Sequence, residues 1–124
     1  TLYLRSRAVL ATRAAGRNFP IVGVWQDLKD MDGAWHYARQ NKQLGFRGMV
    51  SIHPMHVAIA NEVFTPSAAD VTFYQGMIDA FDAAVAKGLA AIDYEGMHID
   101  YAHVKTAKEV VALAATLAER QKSA

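Results

Sequence analysis

Three side chains that can bind metals or move protons lie close together near the end of the chain. His98, Asp100 and His103 occur in the segment MHIDYAH, and imidazoles beside a carboxylate are a conceivable metal site. The chain has no HExxH motif and no further acid at a convincing spacing, so solvated or structural histidines are favoured. Asp100 also suits the N-cap of a following helix.

A second group of candidate residues follows an apolar run in the segment GFRGMVSIHP, at residues 45–54. Pro54 suits the first turn of a helix, because its missing N–H would have no intrahelical partner there. In α/β proteins, ligands bind at the carboxyl ends of the strands, and a helix start offers N–H groups to an anion. This pattern predicts a ligand-bearing rim at His53. The alternative is that Pro54 only begins a helix and His53 hydrogen-bonds a neighbouring loop.

Acidic residues are concentrated in the loop QDLKDMDG, which contains Asp27, Asp30 and Asp32. Their spacing departs from that of a calcium-binding loop, which also needs a glutamate at its twelfth position. We interpret them as solvated loop acids, one of which caps the next helix. Trp25, just before this loop, could line a ligand pocket, but a place in the core is favoured.

Hydrophobic patterns and helix-end signals predict an α/β chain. After a helix at residues 3–15, apolar runs at residues 19–25 and 49–52 lack polar alternation, which is typical of parallel strands covered on both faces. The helix between them, at residues 34–44, makes this a βαβ unit. Two strands alone are rarely stable, so a larger sheet is expected, and a self-contained helical domain is the less favoured alternative.

The second half of the chain begins with a strong helix-start signal. Ser67 can cap a helix while Asp70, three residues later, completes a capping box. Glu95 and Gly96 separate two short apolar runs and predict a hairpin or extended turn. A last helix is predicted from Ala102 onward.

Composition limits the possible partners. The 124 residues suit one domain, and a formal charge of +1 without a basic cluster argues against nucleic-acid binding. No apolar run approaches the roughly 18 residues of a membrane span, and the absence of cysteine excludes a disulfide framework. We expect a cytoplasmic protein, or a mitochondrial one in a eukaryote. The chain begins with Thr1, as expected of a processed protein or a piece of a longer one.

Three spaced motifs together resemble the C-terminal part of the citrate lyase β-subunit-like family, in the HpcH/HpaI aldolase superfamily that includes the malyl-CoA lyases. They are LGFRGMVSIHP, NEVFTPS and DYEGMHIDYAHVKTA, and they occur in the family's order and spacing. The resemblance implies the last two strands and the C-terminal helices of a (β/α)8 TIM barrel of the phosphoenolpyruvate/pyruvate type. Residues 1–64 would belong to the barrel, and residues 65–124 would form a helical extension or lid.

The resemblance also implies a function and site residues. Relatives with these motifs cleave or form carbon–carbon bonds in acyl-CoA thioesters with Mg²⁺, whose ligands lie on earlier strands, outside this chain. Asp100 matches an aspartate that serves as catalytic acid/base, supplied by the lid to a neighbouring subunit of a trimer or hexamer. Ile52, His53 and Pro54 match the rim that borders coenzyme A. The chain alone is expected to be inactive, and the other substrate is a small keto or hydroxy acid.

Four positions depart from the family's pattern and leave the substrate open. Met49 replaces a lysine, Val22 an aspartate, His56 a glutamine and Glu95 an aspartate. Loss of a lysine together with an aspartate is consistent with an ion pair replaced by apolar contact. A thioesterase on the same scaffold and a catalytically silent subunit that binds coenzyme A or supports assembly therefore stand as alternatives to the lyase.

Overall fold

Five helices and four short strands make up residues 1–123, the part of the chain that the computed structural model describes. In chain order they are α1 Leu2–Ala14, β1 Ile21–Val22, α2 Met31–Leu44, β2 Gly48–Met49, α3 Pro54–Phe64, α4 Ala68–Val85, β3 Ile92–Tyr94, β4 Met97–Ile99 and α5 Tyr101–Ser123. They divide into two units, the first Thr1–Thr65 and the second from Pro66 onward. Among the residues described, no helix is both long and apolar enough to cross a bilayer.

The first unit contains the predicted parallel strand pair. Ile21 lies opposite Gly48 and Val22 opposite Met49, and α2 connects the two strands. Each strand has only two residues, fewer than the apolar runs predict. Val22 is buried, whereas Ile21 is exposed among the described residues. Coverage of the strands on both faces therefore stays a prediction for the larger sheet.

Small side chains on α2 allow close packing in the first unit. Ala34 and Ala38 are completely buried, and without long side chains at these positions the neighbouring backbones can approach closely. The core they share is apolar and draws on every helix of the unit; its other buried members are Val9, Val22, Phe46, Ile59, Val63 and Phe64.

A polar clamp holds α1 against α2. The Arg5 guanidinium donates to Asn41 Oδ1 at 2.9 Å and to Gln40 Oε1 at 2.8 Å, and it lies 5.4 Å from the centre of the Tyr37 ring. Asn41 is 0% exposed, and its Nδ2 donates to Tyr37 O at 2.7 Å. Both ends of the buried amide are therefore hydrogen-bonded, which removes the cost of burying it.

The second unit begins with the predicted capping box. Ser67 Oγ accepts from the Asp70 N–H and Asp70 Oδ2 accepts from the Ser67 N–H, each at 3.0 Å. The predicted hairpin is present as the antiparallel pair β3 and β4. Glu95 and Gly96 form its turn with φ values of 48° and 79°, the two positive values that a type I′ turn requires.

The core of the second unit joins α4, the hairpin and α5. Its buried members are Met77, Ile78, Phe81, Ile99, Val104 and Ala107. The edge of the Tyr101 ring packs on Phe81, with ring centres 4.9 Å apart. The start of α5 is thus anchored to α4, which fixes the position of the residues just before it.

Tyr94 packs directly against the backbone of α4 at Gly76. Its hydroxyl donates to Phe73 O at 3.2 Å, and its ring centre lies 5.4 Å from that of Phe73. A Cβ atom added at Gly76 would overlap the Tyr94 hydroxyl, whereas the nearest ring carbon would lie at 3.4 Å, an ordinary contact. Glycine in mid-helix is therefore explained by this hydroxyl.

We expect Gly76→Ala to destabilise the protein by roughly 1–3 kcal/mol through overpacking, although alanine favours helix by about 1 kcal/mol over glycine. In a Tyr94→Phe background the overlap is gone, so the same change should stabilise by about 1 kcal/mol. Urea unfolding of the four proteins of this double-mutant cycle measures the coupling. Equal effects of Gly76→Ala in both backgrounds would show that the hydroxyl is not the constraint.

Candidate functional site

Asp100 stands between β4 and α5 and caps the start of that helix. Its Oδ1 accepts from the Ala102 N–H at 2.9 Å and from the His103 N–H at 3.3 Å, while its carbonyl accepts the first intrahelical bond, from Val104, at 3.2 Å. These contacts confirm the predicted N-cap and satisfy N–H groups that have no partner within the helix. The carboxylate side chain is 48% exposed, so a substrate can reach it.

His103 contacts the same carboxylate through its ring. His103 Nδ1 lies 2.8 Å from Asp100 Oδ1 and 3.3 Å from the Asp100 backbone nitrogen. The sequence places these two residues near each other but does not reveal the direct contact, which depends on the first turn of α5 bringing positions three apart onto one face. His98, the third residue of the original cluster, lies in β4 opposite Asp93.

The pKa of Asp100 is lowered from its ordinary value of 3.8, first by the hydrogen bond with the His103 side chain and then by the His103 backbone N–H. The Ala102 N–H acts in the same direction. These donors favour the charged form of the carboxyl group. The rise in pKa that the sequence predicts concerns a desolvated, closed lid, and it stays a prediction because Asp100 is half exposed here.

Asp100 and His103 are called the dyad below. An apolar groove within the second unit borders this dyad. Its volume is about 410 Å³, and it is lined by Phe73, Tyr74, Met77, Met97, Ile99, Ala102, His103 and Thr106. The sequence does not reveal this groove. The hairpin supplies the opposite wall, and its packing on α4 is a long-range contact that no local pattern reveals.

The predicted rim at the end of β2 belongs to the first unit. His53 is the N-cap of α3, with its Nδ1 accepting from the Met55 N–H at 3.2 Å, and Pro54 occupies the first turn. His53 thus bonds its own helix, not a neighbouring loop. Ile52, just before it, is 58% exposed.

His56 lies in the first unit and is 1% exposed. Its ring centre lies 6.4 Å from that of His53, and among the described residues neither of its nitrogens has a hydrogen-bond partner. Residues 1–123 contain no group of three side chains suited to a metal ion.

The acidic loop caps α2, as the sequence predicts for one of its members. Asp30 Oδ1 accepts from the Gly33 N–H at 2.8 Å, and Asp27 Oδ1 accepts from the Lys29 N–H at 3.0 Å. Trp25 donates from Nε1 to Asp30 O at 3.1 Å and packs against the core of the first unit. Trp25 is thus partly buried at the border of the core and is not one of its buried members.

Val22 and Met49, two of the departures from the family's pattern, are direct partners across the parallel strands. Val22 is buried in the core of the first unit, and Met49 packs against that core. An aspartate and a lysine at these two positions would be adjacent. The structure therefore supports the interpretation that apolar contact has replaced an ion pair here.

The chain is similar in sequence to several known enzymes. No protein-family model matches the chain. L-malyl-CoA/β-methylmalyl-CoA lyase of Cereibacter sphaeroides is 39% identical over 109 residues, which are 88% of this chain and 34% of the relative. Mitochondrial citramalyl-CoA lyase of Rattus norvegicus is 32% identical over 96% of this chain and 35% of its own length. A (3S)-malyl-CoA thioesterase of C. sphaeroides is 34% identical over 89% of this chain and 38% of its own length.

Two solved structures are similar to this chain in fold. The protein CitE of Mycobacterium tuberculosis, crystallised with magnesium, acetoacetate and coenzyme A, aligns with a TM-score of 0.74 and 25% identity over 91% of this chain and 40% of that one. A citrate lyase of Burkholderia xenovorans aligns with a TM-score of 0.71 and 21% identity over 92% of this chain and 35% of that one. At this identity the similarity supports the fold alone.

The fold is thus the helix-rich α/β fold of citrate lyase β-subunit-like proteins. The chain is related to the lyases of that family and to the malyl-CoA and citramalyl-CoA lyases, which confirms the resemblance that its motifs indicate. It spans about a third of the length of these relatives, and a C-terminal part of such a protein fits this coverage.

The lowered pKa of Asp100 predicts a pH-dependent contribution to stability. Because the pKa in the folded state lies below the unfolded value near 3.8, ionised Asp100 stabilises the fold above about pH 5. This stabilisation is lost as the pH falls through the folded-state pKa. Asparagine caps a helix about as well as aspartate, so in Asp100→Asn only the ionic part is removed.

We therefore expect wild type and Asp100→Asn to differ in their free energy of unfolding at pH 7 and to converge as the pH falls toward 3. Urea unfolding across this range provides the measurement, with Asp82→Asn on the exposed face of α4 as a control for the change in net charge. A difference that stays constant from pH 7 to pH 3 would contradict the assigned ionic contact.

Proposed function

We propose that this chain is part of a Mg²⁺-dependent carbon–carbon lyase that acts on an acyl-CoA thioester, such as a malyl, citryl or citramalyl thioester. The observation that carries the proposal is the sequence relation to named malyl-CoA and citramalyl-CoA lyases over most of the chain. In this proposal residues 1–64 form the last two βα units of a (β/α)8 barrel and residues 65–124 form a lid.

Asp100 is the proposed acid/base residue. In the condensing direction it accepts a proton from the carbon beside the thioester carbonyl: the C–H bond breaks, an O–H bond forms, and the electron pair remains as an enolate. The enolate attacks the keto carbon, the π pair of the keto C=O moves to its oxygen, and this alkoxide takes a proton from solvent. In cleavage the hydroxyl group loses that proton, the C–C bond breaks, and the same carboxyl group returns its proton to the enolate. Its exposure and its ionised state suit the first of these steps.

Closure of the lid supplies the change in environment that the reverse step needs. Desolvation disfavours a carboxylate and raises its pKa, so a closed site would make Asp100 a stronger base and a usable acid. The proposed lid acts on the site of a neighbouring subunit, in a trimer or hexamer. The titrating group would then meet its low-dielectric surroundings only in the assembled enzyme.

Mg²⁺ enters the proposal through the relatives, since CitE was crystallised with magnesium and coenzyme A. The ion would hold the keto acid and polarise its carbonyl. Residues 1–123 contain no cluster that fits it, so the ligands are proposed to lie outside this chain, on earlier strands of the barrel. The chain alone is therefore expected to lack activity.

Ile52, His53 and Pro54 are the proposed border of the coenzyme A site. The exposed side chain of Ile52 lies just before the start of α3, where the His53 ring caps the helix. An exposed isoleucine suits the apolar parts of the thioester. We propose action in the cytoplasm or, in a eukaryote, in the mitochondrial matrix, as for the mitochondrial citramalyl-CoA lyase of rat.

A thioesterase is the second candidate, because one relative of similar identity is a (3S)-malyl-CoA thioesterase. A catalytically silent subunit is a third, favoured by the apolar pair Val22 and Met49. The products separate the first two: a lyase gives a keto acid and a shorter thioester, whereas a thioesterase gives free coenzyme A.

The activity is tested in a chimera in which this chain replaces the matched third of the C. sphaeroides malyl-CoA lyase. With Mg²⁺ and malyl-CoA we expect formation of glyoxylate and acetyl-CoA, and loss of at least about 100-fold in kcat for Asp100→Asn, the usual scale for a general acid/base. Coenzyme A affinity should change little in that variant. Activity of Asp100→Asn equal to the parent's would remove Asp100 from the chemistry.

Product analysis decides between the candidates. A free thiol released in proportion to substrate consumed would favour the thioesterase, and a correctly folded chimera that forms neither product would favour the silent subunit. The unmodified relative, assayed in parallel, shows that the assay itself works.

The proposed coenzyme A border is tested by calorimetric titration of the same chimera. Ile52→Ala should weaken coenzyme A binding by about 1 kcal/mol, or about fivefold, through loss of apolar contact. His53→Asn keeps an N-cap side chain but removes the ring, and it should also weaken binding. Val57→Ala, an exposed change on the same helix, is the control. Unchanged affinity in both rim variants would place coenzyme A elsewhere.

A further inference from the structure

The two oxygens of the Asp100 carboxylate have different surroundings. Oδ1 has three close contacts: His103 Nδ1 at 2.8 Å, the Ala102 N–H at 2.9 Å and the His103 N–H at 3.3 Å. All three contacts hold the same oxygen toward the start of α5. None of these three contacts is to Oδ2, and the side chain as a whole is half exposed.

The distance between the ring and the carboxylate places a proton between them. At 2.8 Å, an unprotonated ring nitrogen and an ionised carboxylate oxygen would bring two lone pairs together. Either Nδ1 carries a hydrogen and donates to Oδ1, or the carboxyl group carries it and donates to Nδ1. With Asp100 ionised, the first arrangement requires the Nδ1–H tautomer of His103.

The ring has a competing, purely structural arrangement. Nδ1 also lies 3.3 Å from the Asp100 backbone nitrogen, so a ring protonated only at Nε2 could accept from that N–H and complete a capping box with the N-cap residue. One nitrogen cannot donate to Oδ1 and accept from the backbone N–H in the same tautomer. The tautomer therefore distinguishes a helix cap from a proton partner.

We propose that His103 is the positioning residue of Asp100: its Nδ1–H holds Oδ1 against the helix start and so presents Oδ2 as the oxygen that exchanges a proton with substrate. The proposal rests on the acid/base role of Asp100 in the proposed lyase. Positioning of this kind matters because proton transfer requires the basic oxygen within hydrogen-bond reach of the C–H group.

The neighbouring elements add no competing charge to the groove beside the dyad. From α4 its lining residues are Phe73, Tyr74 and Met77, of which only the phenol of Tyr74 can titrate. From β4 they are Met97 and Ile99, while His98, between them in the strand, alternates to the opposite face. From α5 they are Ala102, Thr106 and His103 itself. Among the residues that line the groove, His103 is thus the ionisable side chain that acts on the pKa of Asp100.

The first experiment is ¹⁵N NMR of the full chain with labelled histidine rings, at a pH where the imidazole is neutral. We expect the His103 signals of the Nδ1–H tautomer. Signals of the Nε2–H tautomer would overturn the proposal, because Nδ1 would then serve only to cap the helix. The signals lost in His103→Gln provide the assignment, and His98→Gln, as a control, should leave the His103 signals in place.

The second experiment follows the ¹³C signal of the Asp100 carboxyl group from pH 2 to pH 8 in wild type and in His103→Gln. Glutamine at this position can still bond the N-cap N–H, so the helix start is retained while the proton carrier is lost. We expect the pKa of Asp100 to shift upward in the variant, since the His103 ring is the largest cause of its lowering. An unchanged pKa would also overturn the proposal.

Turnover separates a failure of this inference from a failure of the proposed function. In the lyase assay, His103→Gln should lower kcat by up to about 100-fold, the scale of a misplaced reacting group, with KM little changed. Full kcat in His103→Gln would reject the positioning role even if the NMR signals are as expected. A third result is also informative. If neither the parent chimera nor its variants show lyase activity while His103 has the Nδ1–H tautomer, the proposed lyase function is rejected, but the hydrogen bond from His103 to Asp100 is confirmed.

Discussion

The requirement that the first N–H groups of a helix find acceptors determines where this chain places its reactive side chains. Asp30, His53, Ser67 and Asp100 precede α2, α3, α4 and α5, and a side-chain atom of each accepts from the helix that follows. Two of these four, His53 and Asp100, are also the residues to which the family's pattern assigns chemistry. Each is held by bonds that the helix would need in any case, and therefore in one orientation.

This constraint explains which features the sequence predicts well. Capping depends on residues only two or three positions apart, so the Ser67 and Asp70 box, the Asp30 cap and the Asp100 cap are all visible in the sequence. The turn at Glu95 and Gly96 is equally local, and the parallel pairing of the two apolar runs follows from the helix between them. The length of the two parallel strands is predicted less well, because a residue counts as part of a strand only where a residue of the neighbouring strand pairs with it.

Features that the sequence does not reveal depend on contacts between distant segments. The clamp of Arg5 on Asn41 joins residues 36 positions apart, and the overlap that forces glycine at position 76 comes from a tyrosine in the hairpin. The groove beside His103 likewise needs α4, β4 and α5 together. No periodicity of a single element contains such information, since each side chain would fit many partners. The pairing of Val22 with Met49 lies between these two cases. The sequence shows that both positions depart from the family's pattern, but only the strand register shows that they are neighbours.

The same bonds that orient Asp100 also oppose its proposed chemistry, and this opposition limits how the site can work. Three donors on Oδ1 stabilise the carboxylate and lower its pKa, and a carboxylate stabilised in this way is a weak base toward a C–H group. The two backbone N–H bonds belong to the helix cap and cannot be released without unwinding the start of α5. The basicity can still be raised from the other side of the carboxylate, by removing water from Oδ2. An exposed Asp100 on a lid that closes over a second subunit would meet this requirement: the cap keeps the orientation, and the closed site supplies the desolvation.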